Sequence, residues 1–313
     1  MALTKPGFFG KFIGQPFGRA RSVSDRRNPS HSVRSCRAPN RHPQRGNRDI
    51  LKPDFLVISA PRTGTHWLRA NLNGHARVSA IGENLWFYDL CLPYHQFTRY
   101  FVPGQVNGDI TPMYCLLTRR DVARVQGLLP NCKLVILLRD PVSRAWSHIK
   151  HMERHQESVF AKGETDYFKA AQCPYALIHG DYLGTVNRWL SAFPRSSLLI
   201  RFYEAIRHRP HELLNDLFNH IGVEAQPGLR LENLNQVINE DPSQRQCPPV
   251  LEKFLQQVYR KRTQELVDTL HLNPPSEWDR TLRPPAQHDL DFWTYTDYDI
   301  EQVKVDILKK WLP

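Results

Sequence analysis

Short apolar runs and longer amphipathic stretches alternate along most of this chain. Asp54-Phe-Leu-Val-Ile-Ser59 is a compact run of strand-forming residues. It breaks at Ala60-Pro-Arg-Thr-Gly64, after which Thr65-His-Trp-Leu-Arg-Ala-Asn-Leu72 reads as a helix. Lys133-Leu-Val-Ile-Leu-Leu138 predicts a second buried strand and Ser197-Leu-Leu-Ile-Arg-Phe202 a third. Asp140-Pro141 follows the second strand. Asp is a favoured helix N-cap and Pro a favoured first helical residue, so a helix is predicted from 141 to about 155. In His211–Ile221 the residues Leu213, Leu214, Leu217, Phe218 and Ile221 share one face, and Gly222 is placed to end that helix. Val250–Leu270 is a further amphipathic helix. Residues 83–101 are aromatic without a clear period, and no internal repeat is present.

Strands that alternate with helices predict an α/β fold: a three-layer sandwich with a mostly parallel central sheet covered on both faces. Ligands of such sheets bind beyond the carboxyl ends of the strands. The turn at 60–66 and the segment that starts at Arg139 both fall there.

Charge changes the picture at one end only. The 313 residues carry a formal net charge of +11. Residues 1–48 hold 11 Lys and Arg against the single acid Asp25, so about +10 of the excess sits in this Arg-, Pro- and Ser-rich stretch. Such a segment buries too little apolar surface to fold alone, and it is expected to be a basic, disordered arm. The remaining 31 basic and 30 acidic groups nearly cancel, which removes the general nucleic-acid footprint that the total suggests. Residues 49–313 are expected to form one domain, with 278–313 an extension that no pattern places. No apolar run approaches the roughly 20 residues of a membrane span. Six scattered cysteines include no Cys-x-x-Cys pair, so free thiols in a reducing compartment are expected. The expected location is the cytoplasm; organelle targeting by the basic arm stays open.

The chemistry gathers in Ser59-Ala-Pro-Arg62-Thr63-Gly64-Thr65-His66-Trp67. A glycine in the turn lets backbone N–H groups converge, and the helix that follows adds unpaired N–H groups and a positive dipole end. Arg62 and the hydroxyls of Thr63 and Thr65 add donors. This is a cradle for phosphate or sulfate, against the plainer reading of an ordinary strand-to-helix turn with a surface Arg. It is not a Walker A loop, because no Lys follows Gly64 to reach nucleotide phosphates.

Pro61-Arg-Thr-Gly-Thr-His-Trp67 resembles the 5′-phosphosulfate loop of sulfotransferases that use 3′-phosphoadenylyl sulfate (PAPS). Leu137-Leu-Arg139-Asp-Pro-Val-Ser-Arg-Ala-Trp-Ser147-His148 resembles their 3′-phosphate segment, in which an Arg at a strand end and a Ser eight residues later hold the phosphate. Shorter matches keep the family's order: Gly82-Glu83-Asn-Leu-Trp-Phe-Tyr-Asp89, Gly108-Asp-Ile-Thr-Pro-Met-Tyr114, Arg201-Phe-Tyr203-Glu204 and Val237-Ile-Asn239. The resemblance covers about residues 53–278 and lies nearest the carbohydrate branch, heparan-type and bacterial. It implies a P-loop NTPase-like fold, PAPS as co-substrate with no metal required, and transfer of a sulfuryl group to a hydroxyl or amine of an acceptor, a glycan foremost. The competing readings are a P-loop-like nucleotide kinase and a non-catalytic nucleotide- or polyanion-binding protein.

The resemblance also distributes roles. Arg62, Thr63, Gly64, Thr65, His66 and Trp67 would hold the phosphosulfate end, Trp67 with its ring on adenine. Arg139 and Ser147 would hold the 3′-phosphate, and Tyr203 would reach the adenine. For Trp67 and Tyr203, plain core packing is the rival reading. Many relatives carry Lys at the Arg62 position; Arg is always charged, so it clamps but hardly donates a proton. Glu83 is the candidate general base, with His66 its rival. His148, His151 and His155 share a helix face that suits a metal, but no Asp or Cys completes it. The basic segments with which relatives close over the 3′-phosphate are missing, and Gln244-Arg245 is the nearest substitute.

Overall fold

A computed structural model describes residues 51–82, 100–155, 167–224, 234 and 245–283. The basic arm, Glu83 and the aromatic stretch after it, and residues 284–313 lie outside the described residues.

The period-2 pattern of the strands builds the centre. Among the described residues five parallel strands, β1 (Phe55–Val57), β2 (Val78–Gly82), β3 (Val106–Ile110), β4 (Lys133–Leu138) and β5 (Leu198–Phe202), form one sheet in the order β2-β3-β1-β4-β5. Phe55 is in register with Gly108 on one side and Lys133 on the other. Alternate side chains feed two separate apolar clusters. Leu56, Leu134, Ile136, Leu138 and Ile200 join one; Phe55, Val57, Val135, Leu137 and Ile110 join the other.

Helices cover both faces. Against the second cluster lie α1 (Thr65–Leu72) and α8 (Pro210–Ile221), with Leu68, Leu72, Leu214 and Phe218 buried. Against the first lie α2 (Arg119–Leu128), α6 (Tyr182–Leu190) and the end of α9 (Pro249–Leu270), through Val122, Val186, Trp189 and Leu266. Helices α3 (Pro141–Arg154), α4 (Tyr167–Ala171) and α5 (Pro174–Ile178) build a third cluster with α9. The short helices α7 (Ala205–His208) and α10 (Asp279–Leu282) complete the described set. This is the three-layer architecture that the alternating pattern predicts.

The helix ends follow their local chemistry. Asp140 caps α3 by accepting from the Ser143 N–H at 2.7 Å, with Pro141 in the first turn. Gly222, at φ 80°, closes α8. Thr118 and Asp121 cap α2 reciprocally, a signal the sequence reading does not use. The predicted strand at 54–59 is shorter as a ladder, because Ser59 has another task. Its hydroxyl accepts the Leu137 N–H at 2.7 Å and ties the end of β1 to β4.

The chain leaves β1 toward the β3–β2 side of the sheet and leaves β4 toward β5. The crevice between the carboxyl ends of β1 and β4 is therefore the topological switch point, where such sheets bind ligands.

Candidate active site

Two turns meet at that crevice. After β1 the chain passes through Arg62 at φ 71° and Gly64 at φ 89°, both left-handed. At Gly64 a Cβ would come within 2.4 Å of the Ile206 side chain and 3.1 Å of Tyr203, so both the conformation and the space require glycine. Thr63 is buried and donates its hydroxyl to the Ala60 carbonyl at 2.7 Å, which holds the turn against the strand end. Helix α1 begins at Thr65 with no side-chain cap, so its first N–H groups open toward the turn.

The second turn follows β4. Arg139 donates from Nη1 to the Arg62 carbonyl at 2.9 Å, and its guanidinium lies 4.4 Å from the centre of the Tyr203 ring. Arg62 Nε donates to the Ser147 hydroxyl at 3.1 Å. Arg62, Gly64, Arg139, Ser147 and Tyr203 thus form one constellation. The two segments expected to bind anions are in direct contact at the β1–β4 crevice.

The remaining site candidates part company. The Trp67 indole is 3% exposed, sits in the α1–α8 cluster and donates to the Leu234 carbonyl at 3.1 Å. It packs as a core side chain, in keeping with the rival to its reading as an adenine platform, on the same face of α1 as the buried Asn71. His66 is half-buried next to the Arg62 turn. Glu83 lies outside the described residues, directly after Gly82, the last residue of β2. A Cβ on Gly82 would lie 2.8 Å from the Arg69 guanidinium, so an Arg of α1 reaches the chain just ahead of Glu83.

The three histidines of α3 do not act as one group. His148 is buried, with its ring 5.6 Å from that of His179 on the side away from solvent, and burial with Arg144 nearby holds its pKa well below the ordinary value. His151 faces the crevice side of the helix, 4.4 Å ring to ring from His155. Burial first, then the positive charge of Arg62, lowers its pKa to about 3. Among the described residues no three His, Cys, Asp or Glu side chains are grouped to hold a metal. Of the Gln244-Arg245 pair, Gln244 lies outside the described residues and Arg245 is held beside α3. Its guanidinium pairs with Glu153 and with the Tyr167 hydroxyl on the outer side of α3, and the Trp146 indole donates to its carbonyl at 2.9 Å.

Residues that the sequence reading leaves without a role stand behind the grip. The Tyr182 hydroxyl donates to the Arg139 carbonyl at 2.8 Å. The Asp140 carboxylate is fully buried and accepts from Thr281 as well as from Ser143. Glu204 accepts the Asp140 N–H at 3.4 Å and the Trp278 indole N–H at 3.3 Å. Burial pushes the Glu204 carboxyl upward from its ordinary range.

Fold and crevice together define a parallel α/β protein in which two turns rich in hydrogen-bond donors meet at the switch point. The chain belongs to the sulfotransferase domain family, whose family model matches residues 52–265. It is 30% identical over 124 residues to mouse heparan sulfate glucosamine 3-O-sulfotransferase 6, a match that covers 38% of this chain and 36% of that protein. It is 26% identical over 200 residues to human bifunctional heparan sulfate N-deacetylase/N-sulfotransferase 2, covering 55% of this chain and 22% of that one. The matched stretch is thus about a third or less of each relative's own length. The solved sulfotransferase of Alicyclobacillus acidocaldarius superposes with a TM-score of 0.58 at 20% identity, over 73% of this chain and 99% of that one, and shares the fold. Among the described residues no helix is long and apolar enough to cross a membrane.

Proposed function

We propose that this chain transfers a sulfuryl group from PAPS to a hydroxyl or amine of a carbohydrate acceptor. The observation that carries the reading is the contact of Arg62 with Ser147 and of Arg139 with the Arg62 carbonyl, which puts two donor clusters within one nucleotide's span. The family assignment and the heparan sulfate relatives support the reaction and the acceptor class.

The residues fit the donor. The left-handed turn, the open N-terminus of α1 and the Arg62 guanidinium would meet the phosphosulfate end. Arg139 and Ser147 would meet the 3′-phosphate, and the Tyr203 ring borders the same pocket beneath Arg139. When bound, the donor supplies an activated sulfuryl group. Charge that develops on the bridging and equatorial oxygens in a loose, in-line transfer is then stabilised by donors already in place. Arg62 stays charged throughout and acts as a clamp, without giving up a proton.

Glu83 takes the proton of the acceptor in this reading, with His66 the alternative base.

The test offers radiolabelled PAPS with a panel of glycans, lipids and phenols to the wild type, Glu83→Gln and His66→Ala. Label transferred to a glycan by the wild type and lost in Glu83→Gln supports the reading. Loss in His66→Ala alone moves the base to His66. Stabilisation by ATP with Mg²⁺, and none by adenosine 3′,5′-bisphosphate, overturns the donor.

A further inference from the structure

The segment from Ser276 to Leu282 reads as nothing in the sequence, yet its buried side chains point at the back of the crevice. It is a short turn, Ser276–Trp278, that runs straight into α10. Trp278 and Thr281 are both 0% exposed. Trp278 packs edge-on against Phe202 at 5.3 Å and lies 6.3 Å from Tyr182. Phe202 directly precedes Tyr203, and Tyr182 holds the Arg139 carbonyl. The indole N–H donates to Glu204, which in turn accepts the Asp140 N–H. Thr281 donates directly to the Asp140 carboxylate. On the outside, Glu277 pairs with His208 at 2.7 Å and Arg280 with Glu252 at 3.2 Å, so the turn is pinned to α7 and α9.

These contacts converge on one residue. Asp140 is the N-cap of α3: one oxygen fixes the Ser143 N–H and the other is taken by Thr281. Its neighbour Arg139 stands in the crevice, and Ser147 lies two turns along the same helix. The direction in which α3 leaves β4 therefore sets Arg139 and Ser147 together. The bond to Ser143 restrains the carboxylate at one oxygen, and the bond from Thr281 at the other fixes its plane.

We propose that Thr281 and Trp278 are positioning residues for the 3′-phosphate grip, acting through Asp140 and Glu204 to fix Arg139 and Ser147. The inference rests on the donor reading above and deepens it. Neither residue touches the ligand, since both are sealed behind the crevice. Their effect therefore falls first on the 3′-phosphate and reaches the phosphosulfate turn, built on β1 and α1, only through the bonds that Arg62 makes with Ser147 and Arg139. This separates positioning from general stability, which would weaken every ligand alike.

The experiment compares adenosine 3′,5′-bisphosphate with adenosine 5′-monophosphate by calorimetric titration of the full chain. The wild type binds the bisphosphate more tightly, and the ratio measures the 3′ grip. Thr281→Val keeps the shape and removes the donor; the ratio falls about threefold to tenfold, because only part of a buried hydrogen bond's worth reaches the ligand through Asp140, and monophosphate affinity changes less. Thr281→Ser restores the ratio. Trp278→Phe, which keeps a ring in the core and removes the indole N–H, lowers the ratio in the same direction and carries the test if Thr281→Val does not fold. An unchanged ratio, or an equal loss for both nucleotides, overturns the buttress. A wild type without any preference for the bisphosphate overturns the donor reading and the buttress with it.

Discussion

Arg62 Nε and the Ser147 hydroxyl meet at 3.1 Å although 85 positions separate them in the chain. The bond spans the two halves of the crevice: Arg62 belongs to the turn after β1 and Ser147 to the second turn of α3. Each side chain therefore reports on the other half. On the proposed donor reading, Ser147→Ala removes both a contact to the 3′-phosphate and a tether of Arg62. We expect adenosine 3′,5′-bisphosphate affinity to fall by roughly 10- to 100-fold, the worth of a hydrogen bond to a charged group. Titration of the purified variant checks this, and an affinity within twofold of wild type would sever the link.

Arg62→Ala leaves the turn's N–H groups and the Arg139 guanidinium and removes a fixed charge beside them. If Arg62 stabilises charge that builds during transfer, turnover drops by about 10² to 10³, the usual loss for one preorganised donor. Arg62→Lys recovers part of it, since a point charge returns without the fork of donors. The comparison is made with labelled donor at saturating concentration, so that a loss of binding does not pass for a loss of rate.

At Gly64 geometry and sterics act together. Gly64→Ala introduces a Cβ at φ 89° that would lie 2.4 Å from Ile206 Cδ1. We expect a thermal midpoint several degrees lower and loss of the bisphosphate-induced stabilisation, because relief of the clash moves the N-terminus of α1. A variant that keeps its full ligand response would show that the turn tolerates the shift.

Burial of His151, with Arg62 close by, sets a sign for acid stability. In the unfolded chain this imidazole takes a proton near pH 6.5; in the folded chain it does so only near about 3. Between those values the unfolded state binds the extra proton, so His151 withdraws stability as pH falls below 6.5. His148 acts in the same direction. The decline in thermal midpoint from pH 6.5 to 4 is expected to be shallower in His151→Asn than in wild type. Parallel curves would exclude the effect.

What the sequence shows of this fold depends on how local each cause is. β4, α3 and α8 are legible because an apolar run, an Asp-Pro start and a Gly end lie inside the elements themselves. Strands β2 and β3 are not. Val106-Asn-Gly-Asp-Ile110 has a poor strand composition, and it pairs because β1 and β2 flank it. Its Gly108 is dictated from across the sheet: a Cβ there would sit 2.0 Å from the Phe55 ring. The crevice follows the same rule. Arg62, Gly64 and Arg139 are found from the turns after β1 and β4 and Ser147 from the family resemblance, whereas Trp67 packs against residues far along the chain. Trp278 and Thr281 leave no local trace, since their partners Glu204 and Asp140 lie 74 and 141 positions away.

Asp109 gives the opposite pH signature to His151. The side chain is fully buried at the end of β3, with the Tyr114 hydroxyl donating at 2.5 Å and the Thr111 hydroxyl at 2.7 Å. Burial outweighs both bonds and raises its pKa from 3.8 to about 7. The folded state thus holds a proton that the unfolded state releases near pH 3.8. Stability from this group is complete below 3.8, is lost as pH climbs to about 7, and is level above that. Asp109→Asn keeps the size and an acceptor for Tyr114 without the charge. Its stability relative to wild type is expected to rise with pH through that window, by at most about 4 kcal/mol at roughly 1.4 kcal/mol per pKa unit. Denaturant midpoints for both proteins at pH 5 and pH 8 measure the difference. A gap that shrinks as pH rises, or that does not change, would mean that Asp109 is ionised in the folded protein throughout.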